Sequence, residues 1–441
     1  MKTTGTEQSD RPHGERAGRS ASRGLGTDYW KLLSASVLSN LGDGLALVAL
    51  PWYASTLTEN ALAVAAVGVA GRLPWLLFAI IAGSVGDRVD RRRLMATAGA
   101  VKAMILIVLC FLVLLGPGSV AAVLVVALAI GTCEVFFDNT SQALLPNLVG
   151  RDRLERANGT LWGAEEVSNR FLGAPIAGFL LGTSLVLPFA VQAALTAAAA
   201  LLLLSIRGDF RPVPEPGSGA GPPPAFRRML AEGISWMWRH RMLRSLAITL
   251  GLFNAAMAMA MAVLVLFAQD VLGLDSQGFG MIMAASAIGA VVSSQVSPWI
   301  AVRVPPGATL AGILALQVVL YLALVLVPTV PVFVIGAIAL GFNTVWWNIV
   351  TVSLRQRIIP DHLLSRVNSV YRTMGWGMSP LGMVAGGAVV TLFESPAGRE
   401  TALRLPYLFA AVLCGFLLLF TLRNLSTRII HDALSTAQSA R

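Results

Sequence analysis

The sequence contains little charge. Asp, Glu, Lys and Arg make up 13% of its 441 residues, whereas about 25% is usual in soluble globular proteins. Hydrophobic residues make up 56%, and the mean hydropathy is +0.71. A chain of this length with so few charges cannot cover its surface with them. The composition therefore excludes a soluble globular protein and indicates one that crosses a membrane many times.

Residues for metal binding, disulfides and phosphate binding are also scarce. The cysteines Cys110, Cys133 and Cys414 lie inside apolar runs, which argues against a disulfide framework or a zinc cluster. The four histidines all lie outside those runs. None of the three lysines follows a glycine-rich phosphate loop, so no ATP binding is visible. We expect no metal and no cofactor.

Arginine accounts for most of the net charge of +10. The arginines lie at the ends of apolar runs and form no basic face or stripe of the kind that binds nucleic acid. The sequence therefore predicts a lipid bilayer as a partner, and no nucleic acid.

Apolar runs long enough to cross a bilayer as helices recur along the chain, and we interpret them as twelve spans. The predicted spans are 31–57, 61–83, 94–115, 118–143, 158–182, 184–206, 244–270, 277–300, 307–327, 330–354, 367–393 and 405–423. Loops after even-numbered spans contain arginine and the others contain none, except that the eleventh contains Arg399 and Arg404. Positive loops remain in the cytoplasm, so both termini are predicted to be cytoplasmic.

Composition divides the chain into five regions. Residues 1–27 are polar and lack an apolar segment, so they are predicted to be a disordered cytoplasmic tail and not a signal peptide. Two six-helix bundles are expected at 28–206 and 244–424. The stretch 207–243 is interpreted as a cytoplasmic linker that ends in an interfacial amphipathic helix. A second cytoplasmic tail is expected at 425–441.

The short charged loop after the second span reads G-S-V-G-D-R-V-D-R-R-R over residues 83–93. It resembles the loop between helices 2 and 3 of the major facilitator superfamily, whose consensus is G-x-x-x-D-R-x-G-R-R. The matching residues are Gly83, Asp87, Arg88, Arg91 and Arg92, and Asp90 replaces the consensus glycine. In that family the loop braces the two halves in the outward-open state. The resemblance implies this gating role for Asp87 and Arg91.

A second stretch narrows the resemblance. Residues 232–244 read E-G-I-S-W-M-W-R-H-R-M-L-R, which is similar to the segment before helix 7 of the macrolide and siderophore exporters. The resemblance implies an all-α membrane protein with twelve helices in two pseudo-symmetric bundles, the major facilitator fold. It also implies alternating access and proton-driven export. The two halves themselves share an Arg-x-Asn triplet, at 156–158 and 366–368, before a glycine-rich stretch.

Ionisable residues inside a span usually face a protein interior or a watery cavity. Asn40 and Asp43 share one face of the first span, and Asp43 is at a depth similar to that of Arg72 in the second. A predicted Asp43–Arg72 pair is either a structural lock or an acid whose proton affinity changes as a cavity opens. Lys102 is placed near the cytoplasmic end of the third span, which lies outside the cavity in the resembled fold.

The fourth and fifth spans contain further acids. Glu134 and Asp138 are spaced i,i+4, and two close carboxylates repel when both are ionised, which suits a proton carrier or a cation site. Asp138 is alternatively solvated at the cytoplasmic interface, so Glu134 is the preferred carrier. The expected proton-coupling residues are Asp43, Glu134, Asp138 and Glu166, with Arg72 and Arg170 as charge partners.

The second half has amides and aromatic residues within its spans, and its one acid there, Asp270, lies at the external end of the seventh. The expected substrate-cavity residues are Asn40, Asn254, Asn343, Trp346, Trp347 and Asn348. Tryptophan at such positions is more often a packing residue, yet aromatic and methionine-rich walls suit a large apolar ligand. We expect proton chemistry in the first half and a substrate surface shared by both halves.

These observations predict a monomeric secondary transporter of a bacterial cytoplasmic membrane. It would export a small hydrophobic or amphipathic compound, such as a drug, antibiotic or siderophore, in exchange for protons and without ATP. An importer or facilitator of a small anionic metabolite is the alternative, since an intramembrane arginine would attract an anion. A polytopic membrane enzyme and a receptor-like scaffold are the remaining alternatives.

Overall fold

The computed structural model describes residues 25–86, 88–116, 118–150, 153–208, 210–211, 234–359 and 361–439. All regular secondary structure within these ranges is helical. Ten helical stretches there are long and apolar enough to cross a membrane. In lipid, a helix satisfies every backbone polar group within its own segment, so the long apolar runs explain this architecture. The prediction of an all-α membrane protein is confirmed.

The first half of the chain forms eight helices. They are α1 (Thr27–Leu57), α2 (Ala61–Leu77), α3 (Ala79–Gly86), α4 (Arg91–Leu115), α5 (Val120–Leu148), α6 (Leu154–Glu166), α7 (Ala174–Thr183) and α8 (Leu187–Leu204). The side chains of Asn60, Asp90 and Ser119 accept hydrogen bonds from first-turn N–H groups of α2, α4 and α5. These caps begin the three helices at the polar breaks in the apolar pattern.

The second half begins with a short helix at residues 234–239. The helices that follow are α9 (Arg241–Ala262), α10 (Leu264–Asp270), α11 (Ser276–Arg303), α12 (Pro306–Leu326), α13 (Val330–Ile358), α14 (Asp361–Ala397), α15 (Arg399–Asn424) and α16 (Thr427–Ser439). Gly398 separates α14 from α15 with a φ of 79°, a left-handed conformation that glycine adopts without strain.

Three predicted spans are not single α-helices. The seventh is divided at Val263 into α9 and α10, which together still form one of the ten long apolar stretches. The second is divided at Phe78 into α2 and α3, four residues after Pro74, which removes one intrahelical hydrogen bond. The fifth consists of α6 and α7 joined by a seven-residue π-helical stretch, Val167–Gly173, here called the π segment. Because of the interruptions in the second and fifth spans, the criteria of length and apolar character identify ten crossing helices in the described residues rather than twelve.

Helices of the same half pack mainly against one another. In the first half, α8 packs on α1 and α4, and α5 packs on α2 and α4. In the second half, α14 packs on α9, α13 on α11, and α15 on α12 and α9. The most extensive contacts between the halves join α2 with α14 and α7 with α11. Gly178 of α7 and Gly280 of α11 face each other at the second crossing, because small residues let helices approach closely.

Parts of the predicted tails and linker lie outside the described residues, namely 1–24 and 212–233. At the start of α1, Lys31 donates a 2.9 Å hydrogen bond to the carbonyl of Ser205 after α8. In the predicted second tail, α16 packs on α12 and α13 and buries Ile430. The tail is therefore helical from Thr427 to Ser439, and it packs on the end of the second half.

Candidate functional site

Asp43 lies in α1 between two glycines that contact other helices. A methyl group added at Gly42 would meet the Gln192 side chain of α8, and one added at Gly44 would overlap the backbone of Asn169 in the π segment. The chain is therefore closely packed on both sides of Asp43. Only 9% of the Asp43 side chain is exposed, so its carboxylate needs a partner within the protein.

That partner is Lys102 of α4, not the predicted Arg72. The Lys102 ammonium donates a hydrogen bond to Asp43 Oδ1, and 3% of the lysine side chain is exposed. Lys102 follows Arg91, the first residue of α4, by eleven positions, which is roughly 16 Å at the rise of a helix. That depth is close to the middle of a hydrocarbon core about 30 Å thick. The predicted position near the cytoplasmic end was therefore wrong.

The packing of α8 explains how Lys102 reaches α1. Both α1 and α4 pack on α8, where Thr196 lies against Gly42 on one side and Gly99 on the other. The sequence did contain a signal for this residue. A lone lysine near the middle of an apolar run requires an anionic partner or a watery cavity.

Two further acids approach this pair from α5. Glu134 and Asp138 are both partly exposed and lie within electrostatic range of the other two residues. We call Asp43, Lys102, Glu134 and Asp138 the carboxylate cluster. With three carboxyl groups and one ammonium, it has a formal charge of −2 when all four are ionised. A proton or another cation bound among them reduces their repulsion.

Arg72 and Trp75 of α2 border the carboxylate cluster. Arg72 and Trp75 both lie within interaction range of Glu134. The Arg72 guanidinium also lies 5.9 Å from the ring centroid of Trp376 in α14, within cation–π range. Since α14 belongs to the second half, Arg72 connects the surroundings of Glu134 with that half.

Buried polar atoms also border the carboxylate cluster. Both side-chain polar atoms of Gln192 and the Thr196 hydroxyl, on α8, have no hydrogen-bond partner among the described residues. Their residues are 0% and 1% exposed. Buried groups of this kind ordinarily bind ordered water. The side of α8 that faces Gly42, the residue before Asp43, is therefore suited to bind water, although the span contains no charge.

The predicted Glu166–Arg170 pair is only partly described. Glu166 is exposed at the end of α6, and the Arg170 side chain lies outside the described residues. The neighbouring Glu165 instead lies within electrostatic range of Asp138. Asn40 donates a 3.0 Å hydrogen bond to the carbonyl of Ser36, one turn earlier in α1, so its amide is bound to its own helix. No group of three or more His, Cys, Asp and Glu residues in the described ranges could hold a metal ion.

Asn343 packs between helices rather than lining a cavity. It is 1% exposed, and its amide donates hydrogen bonds to the Gln317 side chain and the Ile313 carbonyl of α12, at 3.3 and 3.4 Å. A buried amide requires such partners, and α12 supplies them. The prediction that Asn343 lines the substrate cavity is corrected for this reason.

The two tryptophans of α13 differ in environment. Trp347 is 3% exposed and stacks on Phe253 of α9, with ring centroids 5.4 Å apart. It is a packing residue, as the more conservative interpretation of the sequence held. Trp346 packs edge-on against Phe342 at 5.4 Å and is partly exposed, so it stays a candidate for ligand contact.

The other two amides of the second half are more accessible. Asn254 of α9 is partly exposed and donates a 2.9 Å hydrogen bond to the carbonyl of Gly375 in α14. Asn348 is exposed and donates to the carbonyl of Thr344, one turn earlier. Neither amide oxygen accepts a hydrogen bond from the described residues, so each can accept one from a ligand.

The arginines of the charged loop bind within the first half. Arg91 donates hydrogen bonds to the Ala143 carbonyl and the Asn147 side chain of α5, at 2.8 and 2.9 Å. Arg92 donates to the carbonyl of Ile206, just after α8. In this conformation the loop therefore holds α4 against α5 and α8 and makes these contacts within one half.

Asp90, which replaces the consensus glycine of the loop, caps the first turn of α4. Its Oδ1 accepts a 2.9 Å hydrogen bond from the backbone N–H of Arg93, and the residue is 6% exposed. A carboxylate at a helix N-cap satisfies a free N–H group and interacts well with the helix dipole. Of the other motif residues, Gly83 and Arg88 are exposed, and Asp87 lies outside the described residues.

In the described residues, the hydrogen bonds between the halves occur at the opposite end of the molecule. Arg399, the first residue of α15, binds the carboxylates of Asp270 and Glu394 at 2.8 and 2.7 Å. It also donates a 2.9 Å hydrogen bond to the backbone carbonyl of Glu59. Glu59 belongs to the first half and the other three residues to the second. Arg399, one of the two arginines that interrupt the alternation of charged loops, therefore joins the two halves.

Other groups close the same end. Trp52 of α1 lies 5.8 Å from Phe279 of α11, between ring centroids, and the Ser276 hydroxyl donates a 3.2 Å hydrogen bond to the carbonyl of Gly178. At the arginine-rich end, α3 packs on α2 and α5, and α6 packs on α1 and α5, all elements of the first half.

Known proteins share this sequence pattern and this fold. A model of the Major Facilitator Superfamily matches residues 32–382. The multidrug efflux pump Tap of Mycolicibacterium fortuitum is 26% identical over 406 residues, or 88% of this chain and 94% of that protein. The enterobactin exporter EntS of Citrobacter koseri is 25% identical over 356 residues, or 78% and 80% of the two chains. A crystal structure of the nucleoside transporter NupG, in a mutant form, has a TM-score of 0.74 at 15% identity and covers 90% of this chain and 99% of that one.

Proposed function

Because the chain belongs to the Major Facilitator Superfamily, and so is a transporter rather than an enzyme, we propose that it exports a small hydrophobic or amphipathic compound in exchange for protons. The direction rests on two similar proteins, a multidrug efflux pump and an enterobactin exporter. The compound would be a drug, an antibiotic or a siderophore. Transport would proceed by alternating access between two halves.

Twelve crossings of the cytoplasmic membrane form part of this proposal. The helices α2 and α3 contain 17 and 8 residues on either side of Phe78, so together they are long enough to cross a bilayer. The same holds for α6 and α7 with the π segment between them. These two stretches and the ten long ones make twelve, and both termini then lie in the cytoplasm, on the side of the arginine-rich loops.

The carboxylate cluster is the observation that carries the proton-coupled part. Charges in the middle of a membrane are costly, and they are found at ion and proton pathways. Of its three carboxyl groups, that of Asp43 binds Lys102. The other two residues, Glu134 and Asp138, are partly exposed. A proton that binds Glu134 from the space between the halves reduces the repulsion. Substrate that requires the ionised form would displace this proton, and the two fluxes would be coupled.

The contacts made by Arg399 support a state that is open to the cytoplasm. They join the halves at the end opposite the arginine-rich loops, and this end is extracellular if positive loops remain inside. An exporter collects its substrate in such a state. The importer of a small anion is less well supported, because Arg72 already lies near the carboxylate of Glu134 and would attract an anion weakly.

Proton movement in proteoliposomes tests the proposal. The full chain is reconstituted under an imposed pH gradient, and a macrolide antibiotic or enterobactin is added while a pH-sensitive dye reports proton release. We expect release in the wild type and its loss in Asp43→Asn and Glu134→Gln. Glu59→Gln removes an exposed carboxylate outside the carboxylate cluster and should behave as wild type. Substrate exchange without proton release, equal in all four proteins, would contradict proton coupling and leave a facilitator.

A further inference from the structure

A buried lysine beside more than one acid can change partners. The Lys102 ammonium binds Asp43 of α1 and is also within electrostatic range of Glu134 and Asp138 of α5. The residue is 2% exposed, so water does not screen these interactions as it would at a surface. Lys102 is therefore one positive charge shared by acids on two helices.

The chemistry of lysine favours such exchange. An ammonium is a compact charge on a flexible four-carbon stem with three rotatable donors, whereas the planar guanidinium of arginine favours one fixed bidentate geometry. The helix that carries Lys102, α4, packs on α5, which carries Glu134 and Asp138, while the ammonium itself binds Asp43 of α1.

We infer that Lys102 is the positioning residue that couples proton binding at Glu134 to the state of Asp43. When Glu134 is protonated, the ammonium binds Asp43, which is the pairing in this structure. When the Glu134 proton leaves to water between the halves, the ammonium moves toward the new carboxylate, and its hold on Asp43 and α1 weakens. This inference rests on the proposed proton coupling and adds the residue that links the two acids.

A structural ion pair is the competing explanation, and it makes a different prediction. If Lys102 only holds α1 against α4, its loss lowers proton release and substrate movement together, and their ratio stays constant. If Lys102 moves between acids, its loss uncouples the two fluxes. The number of protons released per substrate molecule moved therefore separates the explanations.

The test measures this ratio in proteoliposomes, with the macrolide or enterobactin that triggers release in the wild type. We expect Lys102→Gln to lower it by about fivefold or more, a coupling change of ordinary size. Lys102→Arg keeps the charge and should restore a large part of it. Lys31→Gln is the matched control, because Lys31 pairs with Asp28 at 3.1 Å in the same helix as Asp43 but outside the carboxylate cluster. Its ratio should equal that of the wild type.

Folding is controlled by a second variant. Lys102→Gln leaves Asp43 unpaired, so Asp43→Asn combined with Lys102→Gln, which removes both charges, is measured beside it and should also have a low ratio. An unchanged ratio in Lys102→Gln would overturn the role of Lys102 while leaving proton coupling intact. Absence of proton release from the wild type with either compound would instead contradict the proposed function itself.

Discussion

Gly44 sets how closely α1 approaches the π segment, and so helps to bury Asp43. A methyl group at this position would overlap the backbone of Asn169 and lie against Gly173, and backbone cannot rotate away as a side chain can. We expect Gly44→Ala to lower the free energy of unfolding by about 1–3 kcal/mol, as is usual for overpacking. Thermal unfolding of the purified protein in detergent measures this.

The control for Gly44→Ala is Gly163→Ala in α6. Nothing lies within 4 Å of a methyl group added at Gly163, and alanine in an open helical position is favoured over glycine by roughly 0.5–1 kcal/mol. This variant should unfold at the wild-type temperature or above it. Equal unfolding temperatures for Gly44→Ala and the wild type would show that α1 and the π segment are not held together at this crossing.

Single residues could be predicted from the sequence where a charge that is costly in a membrane interrupts an apolar run. The acids Asp43 and Glu134 interrupt apolar runs, so each could be recognised without knowing its neighbours. Their partners could not, because pairing depends on how helices rotate against each other. Asp43 was given the wrong partner for lack of that information, and Asn343 was assigned to the wrong face of α13, which meets α12 there.

At the scale of elements, the residue before α9 is a histidine that makes the stability of the fold depend on pH. His240 precedes this helix and stacks on Trp236, with ring centroids 5.7 Å apart. Burial lowers the pKa of His240 below its usual value, so the folded protein holds the imidazole neutral. As the pH falls through the ordinary histidine range near 6.5, the unfolded chain binds a proton that the folded chain does not, and stability is lost.

We therefore expect the wild type to lose more thermal stability on acidification than His240→Gln does. The unfolding temperature of each protein is measured at several pH values between about 7.5 and 5.5, around the ordinary histidine pKa. His431→Gln is the control, since His431 is an exposed histidine of α16, and it should follow the wild type. Parallel curves for the wild type and His240→Gln would show that His240 titrates alike in the folded and unfolded chain.

Elements were predictable where the apolar runs end in charge or a turn. The beginnings of α2, α4 and α5 follow from Asn60, Asp90 and Ser119, which cap them. Interruptions inside a span were not predictable, because the π segment and the break at Phe78 leave hydrophobicity unchanged. Both depend on packing against neighbouring helices, and the π segment packs on α1 and α11.

At the scale of the whole molecule, the sequence contained the regular alternation of charged loops but not the meaning of its exception. Two arginines interrupt the alternation, and they have different partners. Arg399 binds groups in both halves. Arg404 binds the carboxylate of Glu400 and the carbonyl of Val325, both in the second half. A one-dimensional pattern cannot distinguish them, because contact between the halves is a property of the folded molecule.

This difference between the two arginines gives a test of how the halves are held. We expect Arg399→Gln to weaken closure at that end, whereas Arg404→Gln, which removes an arginine with partners in one half only, leaves it unchanged. A loss of about 1.4 kcal/mol would raise the open fraction about tenfold, which is the size expected for charge-assisted hydrogen bonds on a side chain that is 27% exposed.

Spin labels at Thr183→Cys and Ser395→Cys, which replace exposed residues of the first and second half, report the separation of the halves by pulsed electron paramagnetic resonance. A longer distance in Arg399→Gln alone supports the closure role. Identical distance distributions in both variants would mean that apolar helix packing, and not Arg399, keeps this end closed.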